Sequence, residues 1–401
     1  MKSLLILFCL SLSASYEACT AQPSHQMQPA EDIVTGAERT DQYLPLLKNK
    51  RVAMLVNQTS VIGDTPLVDS LLKLHVHIVK IFSPEHGFRG NADAGAKVGN
   101  STDEKTGLPI ISLYGSHSKP TAKELEDVDI MLYDIQDVGT RFYTYINSMQ
   151  RFMEAAAENH KPFLILDRPN PNGFYVDGPV LDKKFRSGVG YQPIPIVYGM
   201  TIGEYARMLT GEHWLENAAL KPDLTIIPCL HYTHSSHYQL PVKPSPNLPN
   251  MTSVYLYPSL CFFEGTACSV GRGTAYPFQL FGHPDFPENL YSFVPESMPG
   301  ATNPPLLNRK CYGFLVARSP QQALAATKGT VSLKWLLQAY NLFPDQPAFF
   351  NAFFDKLAGS DALMEEIKAG WSEEKIRKSW QPALQQFKQI RKKYLLYPDF
   401  E

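Results

Sequence analysis

Four short apolar runs in the first half of the chain each end in side chains that can do chemistry. Residues 52–56 are followed by Asn57, Gln58 and Thr59, and residues 76–82 by Ser83, Pro84, Glu85, His86 and Gly87. Residues 130–133 lead into Asp134, Ile135, Gln136 and Asp137, and residues 163–166 into Asp167, Arg168, Pro169 and Asn170. If the runs are strands of an open α/β sheet, these residues share the edge where such sheets bind ligands. The turn preference of Asp and Asn accounts for about half of them. It does not account for a Glu-His pair and an Asp-Arg pair at equivalent places.

Other chemistries lack their signatures. No GxGxxG follows the first run and no GxxxxGK[ST] occurs, so no nucleotide cofactor is expected; Gly271, Arg272 and Gly273 alone are a weak signal. No GxSxG elbow follows a strand, which speaks against a serine hydrolase of the α/β type and leaves an amidase or esterase without its nucleophile. His231, His234 and His237 have the spacing of a zinc site. On a helix each step drifts by about 60°, and the flanking Tyr232, Ser235, Ser236 and Tyr238 read as loop, so no metal is expected. What remains is chemistry done by carboxylates, hydrogen bonders and aromatics. In glycoside cleavage one carboxylic acid protonates the glycosidic oxygen while other groups stabilise an oxocarbenium-like state.

The elements that must position these groups follow from periodicity. Met149, Phe152, Met153 and Ala156 form the stripe of a helix packed on a sheet. Thr65 before Pro66 reads as a helix cap with proline at the first helical position, and Thr121 with Glu124 and Thr201 with Glu204 have capping-box spacing. From residue 348 onward the chain reads as helical, with Trp380, Leu384, Phe387, Ile390 and Tyr394 on one apolar face. The 401 residues, 44% hydrophobic and 19% charged, suffice for a large core, and the 32 prolines are spread through the whole chain. A formal charge of -2 without a basic block excludes nucleic acid as the expected partner.

Residues 1–21 have the charged, apolar and small order of a secretory signal peptide, with an apolar run too short to span a bilayer. An exported protein, periplasmic or extracellular, is therefore expected, either soluble or lipid-anchored at Cys19. Cys229, Cys261, Cys268 and Cys311 are too sparse for a disulfide framework and read as buried thiols.

The chain resembles the exo-acting β-N-acetylmuramidases of the NamZ type from residue 36 to its end. The resemblance runs through VNQTS (56–60), FSPEHGFRG (82–90), LPIISLYG (108–115), DIQDVGTRFYTYI (134–146) and LDRPNP (166–171). It continues through Gly178, YGMTIGE (198–204), PSPNLP (244–249), FEGTACSVGRGTAYPF (263–278) and RKKYLLYPDF (391–400). It implies an α/β fold: a Rossmann-like parallel sheet domain and a smaller C-terminal α+β domain, with the active-site cleft between them. We place these domains at residues 36–281 and 282–401. The implied activity is removal of terminal β-linked N-acetylmuramic acid from the non-reducing end of peptidoglycan fragments, without a cofactor.

The resemblance places the catalytic glutamate on Glu85, which Pro84 and Gly87 also flank in a way that leaves it few conformations. His86 is its neighbour. The second carboxylate stays open among Asp134, Asp137, Asp167 and Glu264, with Asp134 and Asp137 favoured and Asp167–Arg168 read as an ion pair ordering its loop. Asn57, Gln58 and Asn170 are candidate binders at the same edge. The lactyl carboxylate of N-acetylmuramic acid calls for a fixed cation, best an arginine with its bidentate fork. Arg89, Arg141, Arg168 and Arg272 are the candidates, and Tyr143 is read as a sugar platform or as packing. An exo-lyase outcome and a non-catalytic sugar-binding protein are the alternatives.

Overall fold

The computed structural model describes residues 32–84, 87–89 and 99–401. The expected signal peptide, Cys19, Glu85 and His86 lie outside the described residues. Six strands run parallel in one sheet: β1 (Val52–Val56), β2 (Ile78–Ser83), β3 (Pro109–Ser112), β4 (Ile130–Asp134), β5 (Phe163–Leu166) and β6 (Leu224–Ile227). Their spatial order is β3-β2-β1-β4-β5-β6, with the two-residue strand Ser101–Thr102 antiparallel on the outer edge of β3. This is the doubly wound Rossmann order, in which the chain reverses direction across the sheet between β1 and β4.

β1 and β5 are apolar throughout because both faces are covered. All five residues of β1 are buried. Ala53 and Leu55 join the cluster under α3 (Tyr145–Glu158) and α4 (Ile202–Gly211), while Val52, Met54 and Val56 join the cluster on the opposite face with Leu47 of α1 (Thr40–Leu47) and Leu67 and Leu71 of α2 (Leu67–Lys73). Met149, Phe152, Met153 and Ala156 are all buried, and Phe152 meets Phe82 and Phe163 edge-on at 5.5 and 5.9 Å.

Some local expectations shift. Thr65 and Pro66 pair with Val61 and Ile62 in a small hairpin, and α2 starts one residue later at Leu67, with Pro66 in the cap position. His75 takes a positive φ of 61° after α2, so the second strand begins at Ile78 and not at Val76. The Thr121–Glu124 box closes, but only over the 3-10 turn Lys123–Leu125. The Thr201–Glu204 box caps α4.

Beyond α5 (Met251–Leu260), the strands β7 (Leu280–His283), β8 (Tyr291–Phe293) and β9 (Cys311–Leu315) form an antiparallel sheet ordered β7-β9-β8. Six helices follow: α6 (Pro320–Thr327), α7 (Lys334–Leu342), α8 (Phe354–Ala358), α9 (Ala362–Lys368), α10 (Glu373–Ser379) and α11 (Gln381–Lys392). Trp380, at the joint of α10 and α11, is buried with Leu384 and Phe387, while Ile390 and Tyr394 are half-buried. The closing motif is a clasp. Arg391, fully buried, donates to both oxygens of Asp399 at 2.7 Å each and to the Gly199 carbonyl at 2.8 Å.

Candidate active site at the carboxyl edge of the sheet

The loops after β1, β4 and β5 interlock. In register, Val56 lies beside Asp134, and Tyr133 beside Ile165, so the residues that follow emerge side by side. Arg168 forms a bidentate pair with Asp134, through Nε to Oδ1 at 2.5 Å and Nη2 to Oδ2 at 2.9 Å, and Nη2 also donates to the Val61 carbonyl at 2.9 Å. Both side chains are buried. Burial alone would lower the guanidinium pKa, but Asp134 more than offsets this and holds it above its ordinary value. The loop ion pair expected within Asp167–Arg168 therefore forms between Arg168 and Asp134.

Asp167 turns the other way. It accepts from the Thr201 hydroxyl at 2.7 Å, the Gly203 amide at 2.9 Å and the Tyr397 hydroxyl at 2.6 Å, and so ties the start of α4 and the C-terminal clasp to β5. Asp137 accepts from the Tyr198 hydroxyl and from the Gly139 amide at 2.6 Å, leaving Oδ1 buried without a partner. Burial pushes both carboxyls up to about 6, outweighing the hydrogen bonds that favour the ionised forms. Gly139 has a φ of +77°, and a Cβ there would collide with the Asn170 amide, so only glycine permits this approach.

The amides of the same edge hold loops as well. Asn57 Oδ1 accepts from the Thr59 amide and hydroxyl at 2.9 and 2.6 Å, and Gln58 donates to the Pro244 carbonyl at 3.0 Å. Asn170 bridges the Met200 carbonyl and the Asn172 amide, both at 2.8 Å. Single atoms remain over, namely Asn57 Nδ2, Gln58 Oε1 and Gln136 Oε1.

Each arginine picked out from the sequence is committed. Arg141 is fully buried and donates to four carbonyls, those of Pro179, Ile194, Leu357 and Ala358, at 2.8 to 2.9 Å. It thereby pins β4's loop to α8, and burial pulls its pKa down to about 9. Gly359, with a φ of +82°, leaves the room this requires, since a Cβ there would lie 2.7 Å from Nη2. Arg89 pairs bidentately with Asp103 at 2.8 and 3.0 Å, and Arg272 donates to Glu264 at 2.6 Å. Tyr143 is packing: its hydroxyl donates to the Pro244 carbonyl at 2.7 Å, and its ring meets Tyr145 edge-on at 4.9 Å.

The histidine triplet does not form a cluster. His234 bonds Glu204 at 3.0 Å and the His237 ring packs on Phe174 at 4.4 Å. Among the described residues no group of three or more His, Cys, Asp or Glu is placed to hold a metal ion. Cys229, Cys261, Cys268 and Cys311 are free and buried.

The other half of the edge is organised differently. Ser83 and Ser112 face each other in register at the ends of β2 and β3, both with buried, unpartnered hydroxyls. Pro84, also buried, follows directly, and the next residue in the sequence is Glu85. The loop after β3 and the first turn of α3 enclose a cavity of about 880 Å³, lined by Tyr114, Ser116, Ser118, Asn147, Arg151 and Tyr191 among others, all within residues 99–191. A cavity this size with a few convergent polar groups and aromatic walls suits a small saccharide. The sequence reading missed these residues. They follow the strand β3 (Pro109–Ser112), which puts residues 113–118 at the carboxyl edge.

The family model for the N-terminal part of exo-beta-N-acetylmuramidase NamZ matches residues 52–252, and that for its C-terminal part matches residues 255–397. A protein from Bacillus subtilis (strain 168) named peptidoglycan beta-N-acetylmuramidase NamZ is 38% identical over 415 aligned positions, covering 97% of each chain. The crystal structure of a DUF1343 family protein from Bacteroides fragilis NCTC 9343 superposes with a TM-score of 0.85 at 49% identity, over 92% of this chain and 100% of the other. A second DUF1343 family protein from the same organism gives 0.72 at 29% identity, over 91% and 99%. With both family models matched in order along the chain, and a relative 38% identical over 97% of it, the chain belongs to the exo-β-N-acetylmuramidase NamZ family.

Proposed function

We propose that the protein is an exo-acting glycoside hydrolase that removes terminal β-linked N-acetylmuramic acid from the non-reducing end of peptidoglycan fragments. The observation that carries this reading is the 38% identity, running over 97% of both chains, with a peptidoglycan β-N-acetylmuramidase. The saccharide-sized cavity beside the end of β3 supports it. Glu85 is the proposed general acid. It lies two residues after β2 in the sequence, and delivers a proton to the glycosidic oxygen as the bond to the anomeric carbon breaks, while water adds to that carbon and gives up one proton to a carboxylate of the site. Asp137 is the proposed second group, because it alone of the candidate carboxylates combines a raised pKa with an unpartnered oxygen. The proposal includes export, through the signal-like residues 1–21.

Incubation with a chromogenic β-N-acetylmuramide and with the matching β-N-acetylglucosaminide tests the assignment. Much faster release from the first than from the second is expected. Equal release from both removes lactyl recognition, and release from neither removes the glycosidase.

A further inference from the structure

We propose that Arg151, in the cavity at the start of α3, is the specificity residue that binds the lactyl carboxylate of the substrate, with Asn147 beside it holding the sugar's polar substituents. This rests on the muramidase reading above. That reading requires a cation for the lactyl group, and the four arginines singled out in the sequence are already engaged. Arg168, Arg89 and Arg272 are paired with carboxylates, and Arg141 is surrounded by carbonyls.

Arg151 differs from all four. Its described contacts are a hydrogen bond from Nη1 to Ser118 Oγ and the face of Tyr191, 4.9 Å from the guanidinium carbon. Among the described residues no carboxylate pairs with it. A guanidinium carries five donors in a planar fork, so most of its capacity is left for a ligand. Arg186 lies over the same Tyr191 ring at 5.0 Å, also without a described carboxylate partner, and adds to the positive potential.

Three further features converge on this spot. Asn147 is 4% exposed, and its Nδ2 donates to the Gly188 carbonyl at 2.9 Å, which fixes Oδ1 as a buried acceptor with no partner. An acetamido N–H or a sugar hydroxyl would satisfy it, and leaving a buried acceptor unmet is costly. Thr144, Asn147 and Ser148 all line the cavity, so the N-terminus of the 14-residue α3 faces it and its dipole favours an anion there. Finally, Tyr114 gives the wall aromatic surface on which a sugar ring can rest, while Tyr191 orients the guanidinium.

The test compares wild type, Arg151→Met and Arg151→Lys on three nitrophenyl glycosides: the β-N-acetylmuramide, its lactyl amide, and the β-N-acetylglucosaminide. Arg151→Met should lose about 30-fold in kcat/KM on the acid, mainly through KM, as expected for a lost charge-assisted contact. Its rates on the two neutral substrates should not fall, so the preference for the acid collapses. Arg151→Lys, which keeps the charge but not the fork, should fall between the two. Equal losses on all three substrates would make Arg151 a structural pin between α3 and the β3 loop, and an unchanged preference would place the reader elsewhere; either result overturns the proposal. Calorimetric titration with free N-acetylmuramic acid separates this from the activity. Arg151-dependent binding by a wild-type protein that cleaves nothing would overturn the glycosidase alone. Selective cleavage that survives in Arg151→Met would overturn the Arg151 assignment alone.

Discussion

The two halves of the sheet's carboxyl edge carry similar residue types and use them differently. Beyond β1, β4 and β5, Asp134, Asp167 and Arg168 have partners supplied by neighbouring loops, by α4 and by the C-terminal clasp. At the ends of β2 and β3, and on the α3 helix that faces the loop after β3, Ser83, Ser112 and Asn147 keep buried atoms without partners among the described residues, and Arg151 keeps donors without a described carboxylate. The difference is sharpest for the charged groups, with Arg168 paired to a carboxylate in the first half and Arg151 left without one among the described residues in the second. A buried polar group satisfied by its own protein holds the fold, whereas one left unsatisfied marks where a ligand is expected. The first half shares this property at Asn57 Nδ2, Gln58 Oε1, Gln136 Oε1, Asp137 Oδ1, Thr140 Oγ1, Arg141 Nε and Asn172 Oδ1, in the loops on either side of the switch point.

Breaking each half should have opposite consequences, and the largest concerns Glu85. Glu85→Gln should melt like wild type yet lose about 10² to 10⁴ in rate on a natural disaccharide. It should lose much less on a nitrophenyl glycoside, whose leaving group needs little protonation. Equal losses on both would reassign Glu85 as nucleophile, base or transition-state stabiliser, and an unfolded variant would move it into the structural half.

In the interlocked half, Arg168→Met leaves the buried Asp134 carboxyl without its partner, and burial already raises its pKa with Arg168 in place. Denaturant unfolding should show a loss of about 3–5 kcal/mol. A variant as stable as wild type but inactive would instead mean that Arg168 serves the substrate.

The smallest effect sharpens the boundary between the halves through pH. Asp137 and Asp167 have carboxyls raised from 3.8 to about 6, so the folded chain holds these protons more tightly than the unfolded chain does. Between about pH 4 and pH 6 their contribution to stability should therefore fall as pH rises, by up to about 3 kcal/mol each. Asp137→Asn cannot ionise, so it should be more stable relative to wild type at pH 8 than at pH 4. An identical difference at both pH values would show that Asp137 titrates alike in the folded and unfolded chains.

The sequence by itself determined the class of fold and the edge that matters. The runs at 52–56, 130–133 and 163–166 were legible within a residue or so because strands covered on both faces must be continuously apolar. The stripe of α3 and the Thr201–Glu204 box were legible because their periods and spacings are local. Pro109–Ser112 was not, since only two of its four residues are apolar and its strand character comes from pairing with β2. Partner choice was decided by the tertiary structure alone. Asp167 and Arg168 look like a pair in the sequence, yet successive side chains on extended backbone point to opposite sides, and the register that sets β4 beside β5 gives Arg168 to Asp134. Arg151 gave no signal, because an arginine on the polar side of an amphipathic helix reads as solvent-facing. Only the loop folded back from β3, with Ser118 and the Tyr191 ring against it, encloses that arginine in a cavity.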